Sequence, residues 1–298
     1  MIPEAEPQCA LCLENRPLCE SHIIPAFVGR YLKDTSATGY LRAAEKSNLR
    51  VQDLPTEKLL CAQCELQFSR WEDNFSRDGF QKIHSEGYDG FEYDPSLMQF
   101  AVSVSWRILC TDRDELLQDF PDWGPKILKT LETWRKYLLG ACRDSGGEHH
   151  LFVIPGTPGA MPTGAHPKTS QYLLRCVDAT ELIGKRTLAV YAKLVRAIFY
   201  SPIMPASPSG LHRTRIYAGA GRIVTPQKLT VSGFGGFLQS RVQDGFCDEL
   251  SERQLERIRE TVRKNPRRAL ESESLRMNDE AHDLWNIATK AIKEQKGR

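Results

Sequence analysis

Apolar positions recur along this chain with two different periods, and the change of period divides it. In ELQFSRWEDNF, Phe68, Trp71 and Phe75 fall at i, i+3 and i+7, which predicts one apolar face of a helix starting at CAQC (61–64). WGPKILKTLETWRKYLLGA (123–141) repeats that amphipathic pattern. Between them, LMQFAVSVSWRILC follows Asp94-Pro95-Ser96; it fits a buried helix, yet it alternates like a strand from Phe100 to Ile108. Residues 79–94, rich in Gly, Asp and Tyr, read as a loop or linker. Over 149–240 the period shortens. HHLFVIP, QYLLRCV, RIYAG, RIVTP and KLTVSGF are β-prone runs punctuated by Gly, Pro and Ser, which predicts a largely antiparallel sheet. LAVYAKLVRAIFY (188–200) reads as helix or strand. Ser251 and Gln254 offer a capping box to a final periodic run through Val262. Near the N-terminus LCESHII is a short strand, and Pro25 opens a helix over PAFVGRYLKD. The pattern predicts an α+β fold in three stretches: an N-terminal module over 1–80, a helical segment over 81–148, and an α+β domain with C-terminal helices over 149–298.

Cysteine spacing gives the first stretch its chemistry. The chain of 298 residues carries nine cysteines, and four form two C-x2-C pairs, CALC at 9–12 and CAQC at 61–64. Zinc takes four tetrahedral thiolates or imidazoles, and each C-x2-C turn presents two sulfurs from one knuckle. Cys9, Cys12, Cys61 and Cys64 therefore predict one structural zinc site, and a second knuckle that starts a helix is a treble-clef-like arrangement. A thioredoxin-type motif needs a single C-x2-C inside a βαβ unit, which this region lacks. The closed thiolate shell leaves no open position for catalysis. Cys19, Cys110, Cys142, Cys176 and Cys247 are scattered and read as small buried hydrophobes.

Between the knuckles lies ESHIIP (20–25), with His22 ten residues after Cys12. This layout over residues 9–75 resembles the HNH (ββα-metal) endonuclease superfamily. The resemblance implies a metal-dependent endonuclease that hydrolyses phosphodiester bonds, with DNA as the expected nucleic acid. It implies His22 as general base and a catalytic Mg²⁺ or Mn²⁺ besides the structural zinc. Ser21 stands where the family usually carries an Asp or His metal ligand, and Thr56 falls near the place of its usual Asn. Glu65 is then the leading carboxylate for the catalytic ion, with Glu72 on the same helix side, and Glu20 or Asp53 as further candidates. Three readings stand open: an active nuclease with a shifted carboxylate, a degenerate HNH fold that only binds nucleic acid or a protein partner, and an unrelated zinc module. Proteins of this layout in bacteria are linked to mobile elements or antiviral defence, and an activating protein partner fits that setting.

Composition narrows this little. Hydrophobic residues make up 41% and charged residues 26%, with a formal net charge of +2, which permits a nucleic-acid partner without requiring one. No apolar run approaches the ~20 residues that span a bilayer, and the acidic, proline-bearing start MIPEAEPQCA does not read as a signal peptide. The expected location is the cytoplasm, with no membrane partner. His149-His150 read as the surface start of a strand, and His166 as a loop residue. AGAGR and GFGG lack the strand-to-helix setting of a phosphate loop and read as β-turns. Arg253, Arg257, Arg259, Arg263 and Lys264 cluster on the helix after Ser251 and offer a weak nucleic-acid contact. Their interleaving with Glu252, Glu256 and Glu260 favours a salt-bridged, solvated face.

Overall fold

The structure is a computed structural model that describes residues 7–43, 46–156, 166–245, 249–277 and 282–296. It is α+β, with helices and antiparallel strand pairs. The chain divides into two units, and each gathers three separated stretches. The first takes Met1–Pro25, Pro55–Gly156 and Asp178–Ser232; the second takes Ala26–Leu54, Thr157–Val177 and Gly233–Arg298. These stretches cross the divisions at 80/81 and 148/149 drawn from the pattern. The segment between the two knuckles leaves the first unit at Pro25 and returns at Pro55, where the Ile23 N–H donates to the Pro55 carbonyl (3.3 Å).

At the centre of the first unit lies the helix Ser96–Thr111, the segment that also alternated like a strand. It is buried from Leu97 to Leu109 except at Gln99, because it packs on helices Ala62–Phe75 and Gly124–Leu138 and on strands Leu188–Leu194 and Ala197–Met204. A helix covered on all sides has no polar face, so its sequence carries no 3.6-residue stripe. The strands belong to a five-stranded sheet ordered Arg215–Ile216, His149–Val153, Ala197–Met204, Leu188–Leu194, Val177–Ile183.

LAVYAKLVRAIFY resolves as a β-hairpin. Leu194 pairs with Ala197, which leaves Val195 and Arg196 as the turn. Val195 sits at φ 60, a region a β-branched residue rarely enters, at a cost of order 1–3 kcal/mol. The turn is held by the Ile154 N–H to the Arg196 carbonyl (2.8 Å) and the Arg196 Nε to the Ile154 carbonyl (3.0 Å). The Lys193 ammonium also donates to the Val195 carbonyl.

Three other expectations are corrected. QYLLR lies in a short helix, Thr169–Arg175, before the strand Val177–Ile183 begins. The supposed linker holds the strand Gly90–Tyr93, paired with Gly221–Val224; Gly90 is required there because a Cβ would meet the Ile223 carbonyl oxygen at 2.3 Å. His149 and His150 are both buried, at 1% exposure, since both faces of their strand are covered. His149 Nδ1 is 2.7 Å from Ser201 Oγ, which is 2.7 Å from Ser105 Oγ, and His150 Nδ1 is 3.0 Å from Thr214 Oγ1.

In the second unit, the helix Ala26–Asp34 and the hairpin Leu41–Arg42/Arg50–Val51 share the unit with the C-terminal helices. Ala37, Val262, Ala269, Leu275 and Ala288 form a small core with Ile258, Leu270, Leu284 and Ile287. Arg175 joins them, donating to Glu273 Oε2 (2.9 Å), the Thr35 hydroxyl (2.6 Å) and the Leu32 carbonyl (3.2 Å). The helix Glu252–Lys264 forms as expected, but the Ser251 side chain makes no cap bond; its N–H is held instead by Asn48 Oδ1 (2.8 Å).

The buried histidines set a pH dependence. Burial lowers His149 to about 3 and, despite Glu148, His150 to about 4, both from the ordinary 6.5. In the unfolded chain each binds a proton below pH 6.5 that the folded state refuses, so stability falls as pH drops. Burial and the adjacent Asp112 raise Glu181 to about 7 from 4.5, which acts in the opposite sense between pH 7 and 4.5. Two groups against one leave a net loss of about 1 kcal/mol per pH unit between pH 6.5 and 4.5. Urea denaturation at pH 6.5, 5.5 and 4.5 measures it. Glu181→Gln should about double the slope, and a flat profile in both proteins would disprove the assignment.

Candidate metal centre

The first knuckle is a tight turn built by backbone bonds. The Leu13 N–H donates to the Cys9 carbonyl (2.9 Å) and the Cys9 N–H to the Glu14 carbonyl (3.0 Å), which folds Cys9 and Cys12 to one side. Leu13 takes φ 63, a conformation that glycine adopts more readily. The second knuckle sits where a strand becomes a helix. Thr56–Cys61 pairs antiparallel with Leu18–His22, and Cys61 is the N-cap of the helix Ala62–Phe75. The two knuckles are tied by the Ala10 N–H to the Leu59 carbonyl (3.0 Å), the Cys61 N–H to Cys9 Sγ (3.3 Å) and Arg16 Nη1 to Gln63 Oε1 (2.8 Å). Arg135, on the helix Gly124–Leu138, donates to the Leu11 carbonyl (3.1 Å) and braces the turn from outside.

These bonds bring the sulfurs of Cys9, Cys12, Cys61 and Cys64 within 4.8 Å of one another. Cys12 Sγ and Cys61 Sγ are 3.9 Å apart. A tetrahedral ion with sulfur at ~2.3 Å needs sulfur–sulfur edges of ~3.8 Å, so the donor set fits. None of the described cysteines is disulfide-bonded. Cys9, Cys61 and Cys64 are buried and Cys12 is half-buried, so water has little access. Burial pushes the Cys64 thiol up, and neighbouring sulfurs push it further. Burial also opposes ionisation of Cys61, but the Cys64 N–H and the three neighbouring thiols outweigh it and bring Cys61 to about 7. Four thiols held this close could hold a metal ion such as zinc, which would take up the charge that their ionisation creates. Cys19, Cys110, Cys142 and Cys176 are half-buried rather than core residues, and Cys247 lies outside the described residues.

The remaining candidates fall around the hairpin and its helix. Ser21 is 0% exposed, and its hydroxyl accepts the Leu60 N–H (3.2 Å), so it clamps the two strands. His22 is half-buried on the opposite strand face and pairs in register with Thr56, whose hydroxyl lies 3.4 Å from Glu20 Oε2. Asp53 accepts the Leu54 N–H (2.9 Å). Glu65 is half-buried; its Oε1 is buried with no hydrogen-bond partner, and its charge acts on Cys19, near the knuckle end of the strand. Two helical turns on, Glu72 Oε1 meets Arg107 Nη1 at 2.8 Å. The same nitrogen donates to the His22 carbonyl (2.7 Å), and the guanidinium lies 5.3 Å from the Phe68 ring centroid. Glu72, rather than Glu65, is therefore the helix carboxylate tied to the His22 end of the strand.

Arg107 was not singled out from the sequence. Its signal was present: it is the one charge in the helix LMQFAVSVSWRILC, where a lone cation in an apolar run needs a buried partner. On the helix Glu252–Lys264, Arg259 and Arg263 pair with Glu256 (3.4 and 2.7 Å), and Arg259 also with Glu252 (3.6 Å). Arg253, Arg257 and Lys264 are exposed and, among the described residues, make no ion pair. Spaced by four and seven, they form one stripe beside the paired flank, with Glu260 between.

Comparison with protein-family profiles, curated proteins and solved structures finds no match. Among the described residues, the four cysteines are also the only group of three or more metal-ligating side chains, so an ion beside His22 would rest on fewer protein ligands. Among the described residues, no helix is long and apolar enough to cross a membrane.

Purified protein should carry one zinc per chain by elemental analysis. Cys61→Ser should lower that content, and metal removal should unfold the knuckles, since a structural zinc contributes about 10–16 kcal/mol in apparent binding terms. Metal-free protein with all four thiols rapidly alkylated in the native state would refute the site.

Proposed function

We propose that residues 9–25 and 55–75, both in the first unit, form a zinc-stapled, treble-clef-like ββα module of the HNH kind that does not cut nucleic acid, in a chain that binds it. Arg107 is the observation that carries the reading. Its guanidinium, 1% exposed, is fixed between the His22 carbonyl and Glu72, where it supplies positive charge between strand and helix. A divalent ion drawing on Glu72 would have to take that carboxylate from Arg107, and breaking a buried pair typically costs about 3–5 kcal/mol. Ser21, whose hydroxyl is engaged by Leu60, offers no carboxylate in compensation. Nucleic-acid binding by the chain draws separate support from the second unit, where Arg253, Arg257 and Lys264 make no ion pair among the described residues and can neutralise phosphates and release counterions.

One observation favours the second reading, a metal-dependent endonuclease with His22 as base. Glu65 Oε1 is buried without a hydrogen-bond partner, as a carboxylate awaiting Mg²⁺ or Mn²⁺ would be. Its charge acts on Cys19, three residues before His22 on the same strand.

Incubation of the full chain with plasmid, single-stranded DNA and RNA over Mg²⁺ and Mn²⁺ separates the two. The expected result is a salt-sensitive gel shift with intact nucleic acid, weakened and flattened in its salt dependence by Arg257→Glu with Lys264→Glu. Metal-dependent cleavage that falls roughly 10²–10⁴-fold in His22→Ala would replace this reading with the nuclease. Cleavage that survives both His22→Ala and Glu65→Gln would place the chemistry outside the module.

A further inference from the structure

A second concentration of unneutralised charge lies in the second unit, which also carries the Arg253 stripe, on the short hairpin Leu41–Arg42/Arg50–Val51. Arg42 and Arg50 are direct cross-strand partners, an arrangement that sets like charges against each other. Both guanidiniums lie over the ring of Tyr40, at 5.3 and 4.0 Å from its centroid. The ring's negative face offsets part of the repulsion, but a ring is not a counter-ion. Among the described residues neither arginine pairs with a carboxylate. Arg42 donates only to neutral oxygens, the Ser47 carbonyl (2.8 Å) and Gln254 Oε1 (3.3 Å).

Arg50 is the more telling of the two. Its Nε and Nη2 are buried and have no hydrogen-bond partner among the described residues, and the same holds for the buried Tyr40 hydroxyl. Nε and Nη2 form one edge of the guanidinium, with two parallel N–H groups spaced to meet two oxygens of a single oxyanion. A native structure does not normally leave three buried donors idle beside two uncompensated cations. A water could satisfy one donor but none of the charge.

We propose that Arg50, Arg42 and Tyr40 form a phosphate-binding site. The Nε/Nη2 edge of Arg50 takes two phosphate oxygens, the Tyr40 hydroxyl donates to the anion, and Arg42, held by Ser47 and Gln254, supplies the second positive charge. Gln254 belongs to the helix that carries the exposed stripe, and Arg253 and Arg257 lie beside it in sequence. The site therefore adjoins cations that can follow a phosphodiester chain beyond the first group. This inference stands independently of whether the zinc-bearing module cuts, binds or does neither, because all its residues lie in the second unit.

Thermal denaturation and isothermal titration of the full chain with inorganic phosphate test it. Wild type should melt at higher temperature as phosphate rises, and Arg50→Lys, which keeps the charge but loses the two-donor edge, should lose most of that response. Tyr40→Phe, which keeps the ring, should weaken phosphate about tenfold or less. In phosphate-free buffer Arg50→Met should melt no lower than wild type, because it removes an uncompensated charge; a merely structural arginine would give a clear loss. A short DNA duplex that competes with phosphate in wild type but not in Arg50→Lys identifies the source as a nucleic-acid backbone. Phosphate binding without competition identifies a small phosphorylated ligand, and both results support the site. The proposal falls if phosphate leaves wild type unchanged, if Arg50→Lys responds equally, or if acetate or poly-glutamate stabilises as strongly as phosphate.

Discussion

Four sulfurs held within 4.8 Å cannot ionise together without a cation among them, and the knuckle end of the first unit is built around that constraint. Cys9 and Cys12 come from a tight turn, whereas Cys61 and Cys64 come from the junction of a strand and a helix. A metal there would join the N-terminal turn to the helix and close the chain around residues 26–54, an excursion that belongs to the second unit. Closing a long loop of this kind carries an entropy cost, and a metal shared by both knuckles helps to offset it.

The Arg107 contacts act at the other end of the same hairpin and helix. One nitrogen reads the His22 backbone and the Glu72 carboxylate together, so strand, helix and the central helix Ser96–Thr111 are fixed in one geometry. Such a group contributes specificity of packing more than net stability, since the desolvation of a buried arginine consumes much of what its contacts return. The consequence for chemistry is that the His22 backbone is fixed by Arg107, and Glu72, the helix carboxylate that shares that guanidinium, is already paired.

In the second unit, charge is sorted rather than balanced. On the basic helix, Arg259 and Arg263 face Glu252 and Glu256, while Arg253, Arg257 and Lys264 remain unpaired. On the hairpin, Arg42 and Arg50 oppose each other over Tyr40 with no carboxylate partner among the described residues. Arrangements of this kind are unfavourable in isolation and become favourable when an anion is bound, which is why uncompensated cations locate binding surfaces better than net charge does.

The cysteine spacing alone located the four sulfurs, because two C-x2-C turns constrain local geometry wherever the chain goes between them. The helices Ala62–Phe75 and Gly124–Leu138 were equally legible, since each buries one face and leaves the other in water. Only tertiary structure decided the rest. Ser96–Thr111 and the strands of the Val195-Arg196 hairpin are covered on both sides, which erases the alternation that distinguishes helix from strand. The hairpin turn carries no Gly or Asn, so nothing local announces it, and it forms because packing over-determines it. His149 and His150 look like surface residues until the sheet closes over both faces. Arg107 meeting Glu72, and Arg50 facing Arg42 over Tyr40, depend on which segments the fold brings side by side, and residue periodicity reports the burial of a face but not the identity of what covers it.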